Sequence, residues 1–305
     1  MSNLSIKTHV IAEAGVNHNG SLDMAVELVD AAAVAGADAV KFQTFKAVNL
    51  VSKEAQKASY QIRNTHEDGG QYDMLKSLEL DAHAHSAIAA RCAKRGIQFL
   101  STPFDSESLR LLVDQFDLPQ IKIPSGEVTN APFLLEIACT GKPVIMSTGM
   151  CTLSEVEAAL QVLAFGYIDR DGAAGIAQFE AAYFSQAGRA ALRKNVTLLH
   201  CTTEYPAPFE HVHLRSMETL RSAFGLPVGY FDHTDGIAVP IAAVALGASI
   251  IEKHFTLDKT LPGPDHKASL TPAQLRDMAA AIRQVESSMG VAYSRLGRRN
   301  FKIAH

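Results

Sequence analysis

The chain has 305 residues, 47% of them hydrophobic and 20% charged, with a net charge of −4 and no tryptophan, which is globular composition with ample material for a large core. There is no basic excess to suggest nucleic acid, no apolar run of the ~18 residues a membrane helix needs, and no signal-peptide pattern in MSNLSIKTHVIAEAG. The four cysteines, Cys92, Cys139, Cys151 and Cys201, are widely spaced without a CxxC pair; this argues against a disulfide framework or zinc ribbon and fits a cytoplasmic protein.

Short apolar runs alternate with helical patterns along the chain. The first run is HVIAEAGVN (9–17), followed by a helix from SLDMAVELVDAAAVAGA with Ser21 as N-cap. The second is AVKFQTF (39–45), followed by a long insertion, 46–80, of the kind that forms lids and binding loops. QFLSTPF (98–104), QIKIPSG (120–126) and PVIMSTG (143–149) come next, and then TLSEVEAALQVLAF, with Thr152 and Glu155 at capping-box spacing. A second insertion, 166–195, reads as an extension of the helical shell. The last runs are VTLLHCT (196–202), PVGYFDHT (227–234) and SIIEKHFT (249–256), closed by a helix that opens on Thr271 and Pro272 and ends at Gly290. Each run is bounded by turn residues and has the composition of a buried parallel strand. Eight such units predict an α/β fold, the TIM (β/α)8 barrel. The competing doubly wound sheet wants a glycine-rich dinucleotide turn after strand one, and EAGVNHNG lacks that spacing. One barrel domain is expected over 1–290, with 291–305 a C-terminal tail or the start of a linker.

A TIM barrel carries its chemistry at the C-terminal ends of its strands. Polar residues fall there: Glu13 and Asn17, Lys41 and Gln43, Ser101 and Thr102, Lys122, Ser125 and Glu127, Ser147 and Thr148, His200 and Thr202, Asp232 and His233, Glu252, Lys253 and His254. Lys41 and Lys122 stand mid-strand, where an unpaired ammonium is costly to bury. Either they pair with a carboxylate such as Glu13 or snorkel outward, or they hold an anion, with Thr102, Ser125 and Ser147 adding hydroxyl donors. His200 and His233 close neighbouring strands. They are expected to share one divalent ion, against the alternative of a structural histidine pair. By strand alternation Phe231 shares a face with His233, and Asp232 points the other way and braces the strand end. PGPDH (262–266) is a stiff loop that presents Asp265, either as a solvated turn or as a grip on substrate.

The motifs IAEAGVNHNG, AVKFQTF, STPFD, KIPSGE, STGM, LLHCTTEYPAPFE, DHTDGIAVPIAAVALGASIIEKHFTLDK and PGPDHKAS, spanning 9–270, resemble the sialic acid synthase family, the N-acetylneuraminate synthases and their legionaminate relatives. The resemblance implies condensation of phosphoenolpyruvate with an N-acylated mannosamine-type sugar and water, releasing phosphate, with Mn²⁺ or Mg²⁺ as cofactor. Carried onto this sequence, it implies that His200 and His233 ligate the metal. Lys41, Thr102, Lys122, Ser125 and Ser147 would hold phosphoenolpyruvate. Gln43 and Glu13 would face the sugar, with Asp265 also at the substrate, and Glu13 and Glu127 as acid/base candidates. A homodimer with small-molecule partners only, and neither nucleic acid nor membrane, is expected. Two departures stand out. Phe231 occupies a position where the family usually has serine, and family members usually continue into a small antifreeze-like C-terminal domain. The alternatives are a barrel that binds phosphoenolpyruvate or sugar without turnover, and another phosphoenolpyruvate-condensing synthase acting on a sugar phosphate.

Overall fold

The computed structural model describes residues 7–57, 62 and 70–290. The tail predicted at 291–305, the first six residues and part of the 46–80 insertion lie outside the described residues. The described residues form eight strands: β1 His9–Gly15, β2 Ala39–Thr44, β3 Gln98–Pro103, β4 Ile121–Ile123, β5 Val144–Ser147, β6 Val196–Cys201, β7 Val228–Asp232 and β8 Ile250–His254. Every ladder is parallel, in the order β3-β2-β1-β8-β7-β6-β5-β4. The two ends of that order, β3 and β4, pack on each other and complete the expected TIM barrel.

The surrounding helices are α1 Leu22–Val34, α2 Ala47–Leu50, α3 Gln71–Ser77, α4 Ala82–Arg95, α5 Ser106–Arg110, α6 Ala131–Cys139, α7 Leu153–Ile168, α8 Ile176–Phe184, α9 Gln186–Asn195, α10 Ser216–Phe224, α11 Ala238–Ala245 and α12 Pro272–Ser288. Their starts follow the local chemistry. Ser21 accepts the Met24 N–H, and Thr152 with Glu155 and Thr271 with Gln274 both form reciprocal capping boxes. In the 166–195 insertion, α8 and α9 pack on α7, so the insertion thickens the shell, away from the strand ends that carry the site.

The period-two alternation of the strands sorts their side chains into two layers. Val10, Phe42, Leu198, Tyr230 and Ile251 face outward into one large core shared with the helices. Burying a side chain the size of Leu198 or Ile251 there contributes about 1.5–3 kcal/mol. Ile11, Ala39, Leu100, Ile145, Leu199, Cys201, Phe231 and Ile250 face inward and plug the barrel. Above that plug the same inward-facing rows continue as Glu13, Lys41, Lys122, Ser147, Glu252 and His254. The barrel is therefore dry below and charged above.

Candidate active site

Register brings the inward polar residues together. Glu13 pairs with Lys41 across β1–β2 and with His254 across β1–β8. Phe231 pairs with Glu252 across β7–β8. The chain leaves β1 through an irregular step at Gly15, which has φ 55°. A Cβ there would lie 3.3 Å from Glu13 Oε1 and 3.6 Å from the His254 ring, so the glycine keeps room for both side chains.

Lys41 Nζ lies 2.6 Å from Glu13 Oε2 and 3.5 Å from Glu252 Oε1, and donates to Thr102 Oγ1 at 2.8 Å. Lys122 Nζ donates to Ser147 Oγ at 2.8 Å and also lies 3.5 Å from Glu252 Oε1. Its ammonium stands 4.9 Å from the centroid of the Phe231 ring, at cation–π range. Gln43 Nε2 reaches Glu13 Oε1 at 3.4 Å. These groups surround a cavity of about 270 Å³ at the C-terminal mouth of the barrel, a size that suits small metabolites rather than polymers. Of the predicted site residues, Glu13, Lys41, Gln43, Thr102, Lys122, Ser125, Ser147, His233 and Asp265 all line it.

Two predicted residues do not. Register sets apart the two histidines expected to share one ion. His200 pairs with Tyr230 on the outward row of β6, and its ring tilts against the Tyr230 ring. Its Nε2 is 2.6 Å from the Val212 carbonyl, which only accepts, so this nitrogen carries the proton. The inward row of β6 is Leu199 and Cys201. Glu127, the second acid/base candidate, sits in the short turn Ser125–Glu127 outside the cavity. There its Oε2 accepts from Asn130 Nδ2 at the start of α6.

The imidazole that does meet His233 belongs to His254. The two ring centroids are 5.5 Å apart, and both rings lie against Phe231, at 4.1 and 5.4 Å. His233 Nδ1 lies 2.6 Å from the Thr202 carbonyl and so carries the proton. That leaves His233 Nε2 a bare lone pair, and it has no hydrogen-bond partner; His254 Nδ1 likewise has none. Among the described residues no group of three or more His, Cys, Asp or Glu side chains is arranged to hold a metal ion. Two inward imidazoles with unpartnered nitrogens nevertheless fit a sparsely ligated divalent ion that keeps positions open for water and substrate. Asp232 takes the opposite face, as alternation predicts, and bonds to Tyr230, Thr234 and Lys253.

Burial sets the charge states. It depresses His233 to about 3 and takes His254 well below its ordinary value, so both rings are neutral at physiological pH. Burial raises Glu13 to about 7, with Lys41 pulling the other way. For Lys41, burial opposes the charge, but Glu13 and Glu252 outweigh it and hold the ammonium above its usual value. For Lys122 burial outweighs the attraction of Glu252, with Lys41 adding repulsion, and lowers its value. Burial also raises Asp265 to about 6.

A family model described as NeuB family matches residues 28–294. The chain belongs to the NeuB family. It is 51% identical over 284 residues to N,N'-diacetyllegionaminic acid synthase of Campylobacter jejuni subsp. jejuni serotype O:2, covering 93% of this chain and 78% of the relative. It is 46% identical to the enzyme of the same name from Legionella pneumophila subsp. pneumophila, covering 94% and 74%. Among solved structures, the N-acetylneuraminic acid (sialic acid) synthetase from Leptospira borgpetersenii serovar Hardjo-bovis, in complex with citrate, superposes with a TM-score of 0.76 at 29% identity, covering 96% of this chain and 90% of that one.

Proposed function

We propose that this NeuB-family synthase condenses phosphoenolpyruvate with an N-acylated mannosamine-type sugar and water, yielding a nonulosonic acid and inorganic phosphate. The observation that carries the reading is the pairing of two buried ammonium groups, each already donating to a hydroxyl, with two neutral imidazoles across one small cavity. Phosphoenolpyruvate presents a phosphate and a carboxylate. Lys41 with Thr102, and Lys122 with Ser147 and Ser125, supply donors for both.

The chemistry needs three bond changes. The enol carbon attacks the sugar aldehyde and forms the new carbon–carbon bond, while the aldehyde oxygen takes up a proton. Water adds to the cationic carbon left behind and loses a proton. The carbon–oxygen bond to phosphate then breaks as the new hydroxyl gives up its proton to the departing phosphate, leaving the keto group. Glu13 lies at the cavity wall with a value near 7, so it is equipped both to give and to take a proton. Gln43, bonded to Glu13, orients that carboxyl. His233 and His254 would hold the divalent ion, Mn²⁺ or Mg²⁺, which when bound supplies Lewis-acid polarisation of the aldehyde. No helix among the described residues is long and apolar enough to cross a membrane.

The test is mass spectrometry of the product from phosphoenolpyruvate and a panel of N-acylated sugars, with phosphate release followed in parallel. A nine-carbon keto acid with stoichiometric phosphate supports the reading. Binding of phosphoenolpyruvate without product would show a barrel that does not turn over. Product only from a sugar phosphate would place the chain among other phosphoenolpyruvate-condensing synthases.

A further inference from the structure

The two lysines of the cavity are held in different ways. Lys41 has a carboxylate in contact, Glu13 Oε2 at 2.6 Å, besides the more distant Glu252 at 3.5 Å. For Lys122 the carboxylate within range is Glu252, whose Oε1 stands 3.5 Å away and makes no hydrogen bond. Where Lys41 has Glu13, Lys122 has a ring: its Nζ stands over Phe231, 4.9 Å from the centroid.

The strands put that ring in place. Lys122 leaves β4 and donates to Ser147 at the end of the adjoining β5, at 2.8 Å. In the closed strand order β8 stands opposite β4, with β7 beside it. Glu252 on β8 and Phe231 on β7 are register partners. The ammonium therefore reaches across the barrel and meets a carboxylate and an aromatic face side by side. The ring is gripped in turn. It is buried in the inward apolar layer, the His233 ring meets it at 64° with centroids 4.1 Å apart, and the His254 ring stacks on it at 5.4 Å. A ring packed in this way keeps the face it offers to Lys122.

An aromatic face attracts an ammonium through its quadrupole and carries no net charge. A second carboxylate at that point would neutralise Lys122 and compete with an incoming phosphate or carboxylate. The ring steadies the cation and leaves its full charge for the ligand. It also opposes a competing state. Glu252 has unbonded oxygens about one ångström short of close contact with Lys122, and in a site of low dielectric that attraction is strong. Without the ring the ammonium would close on Glu252, and an anion would have to break that pair in order to bind. We infer that Phe231 is a positioning residue for phosphoenolpyruvate: its ring face holds the Lys122 ammonium without neutralising it and keeps it from closing on Glu252. This inference rests on the reading of the two lysines as the phosphoenolpyruvate cradle.

The experiment replaces Phe231 with phenylalanine analogues carrying one, two and three ring fluorines, introduced by stop-codon suppression. Fluorine drains the negative face stepwise and nearly keeps the shape of the ring. Phosphoenolpyruvate binding is read by calorimetry at saturating Mn²⁺ without a sugar, and Mn²⁺ affinity is read separately without phosphoenolpyruvate. The dissociation constant for phosphoenolpyruvate should rise with each fluorine, reaching about 2- to 30-fold with three. Phe231→Leu, which keeps an apolar side chain and loses the face, should show a loss at least as large. Urea unfolding midpoints of the fluorinated variants should match the wild type, and their Mn²⁺ affinity should stay within about twofold. The fluorine series decides the matter even if Phe231→Leu fails to fold. A flat series, with affinity lost in Phe231→Leu alone, would assign the ring to packing and overturn the inference. Mn²⁺ affinity falling in step with phosphoenolpyruvate affinity would also overturn it, because the ring would then act through the imidazoles. A wild-type chain that binds no phosphoenolpyruvate removes the cradle reading and this inference with it, whereas normal wild-type binding with a flat series removes the inference alone.

Discussion

The barrel wall carries buried lysines on both faces, and the two faces treat them differently. Outside, Lys253 is bonded to Asp232 and to the Thr234 carbonyl at 2.7 Å. Asp232 in turn accepts from Tyr230 Oη, Thr234 N and Thr234 Oγ1, all near 3.0 Å. Every member of that cluster is satisfied by the protein. Inside, Lys41 and Lys122 share Glu252, whose oxygens have no hydrogen bond and whose Oε1 stands 3.5 Å from both ammonium groups. These lysines border an open cavity. A saturated charge cluster braces a fold; an unsaturated one beside a cavity keeps binding capacity for a ligand.

The largest effect expected from this contrast is on phosphoenolpyruvate. Lys41→Met or Lys122→Met should weaken its binding by about 2–5 kcal/mol, measured by calorimetry on variants whose circular dichroism is unchanged. Normal binding in both variants would break the distinction between the two faces.

Stability should show the reverse order. Lys253→Met leaves Asp232 buried without its cation, which should cost about 3–5 kcal/mol in urea unfolding. Lys122→Met should cost less than about 1 kcal/mol, because Glu252 keeps Lys41 as a partner, whereas Asp232 has no second cation beside it among the described residues. Adding Asp232→Leu to Lys253→Met should recover much of the loss. If Lys122→Met proves as damaging as Lys253→Met, the inner cluster is structural after all.

Acid sharpens the same comparison. Burial depresses His18 and His266 to about 4 and His233 to about 3, and it also takes His254 well below the shared starting point of 6.5. The unfolded chain therefore binds more protons than the native one below 6.5, and this part of the stability, complete above 6.5, is lost as pH falls toward the folded values. Glu13 and Asp265 act in the opposite sense. Raised to about 7 and 6 from 4.5 and 3.8, they make the native state bind more protons and gain stability as pH falls through the same window. Burial also lowers His9, His85 and His200, so the depressed imidazoles outnumber the two raised carboxyls, and stability should fall between pH 7 and pH 5, measured in chelator. Stability that is flat or rising over that interval would contradict the buried neutral imidazoles.

Much of this arrangement was legible in the sequence because strands have a period of two. Eight apolar runs with polar residues at their C-terminal ends set the barrel and placed Lys41, Lys122, Thr102 and Ser147 around one cavity. Alternation also turned Asp232 away from His233. The same rule, applied to β6 and β8, would have turned His200 outward and brought His254 inward beside Glu252. What hid this was register: the relation of β6 to β7 depends on which residues face each other, and two histidines near strand ends look equivalent until His200 is paired with Tyr230. Glu127 was misplaced for a related reason. KIPSGE ends its strand at Ile123, and the short turn that follows carries the carboxyl out of the barrel. Met74, Leu75 and Leu78, which also line the cavity, were not singled out, because they come from an insertion that strand periodicity does not orient.

The smallest effect concerns the histidine that faces the wrong way. His200 contributes one hydrogen bond to the Val212 carbonyl and a ring contact with Tyr230. His200→Ala should therefore cost about 1–2 kcal/mol of stability, while Mn²⁺ affinity, read by calorimetry, stays within about twofold because no ring nitrogen of His200 faces the cavity. His233→Ala and His254→Ala should each weaken Mn²⁺ by more than the roughly 10- to 100-fold that loss of a merely supporting partner brings, since each removes one of the two unpartnered nitrogens. The readout separates the pairs even in variants too slow to assay for turnover. Loss of Mn²⁺ binding in His200→Ala at unchanged stability would restore the β6–β7 pairing and require the outward row of β6 to turn; retained binding in His254→Ala would leave His233 without its partner.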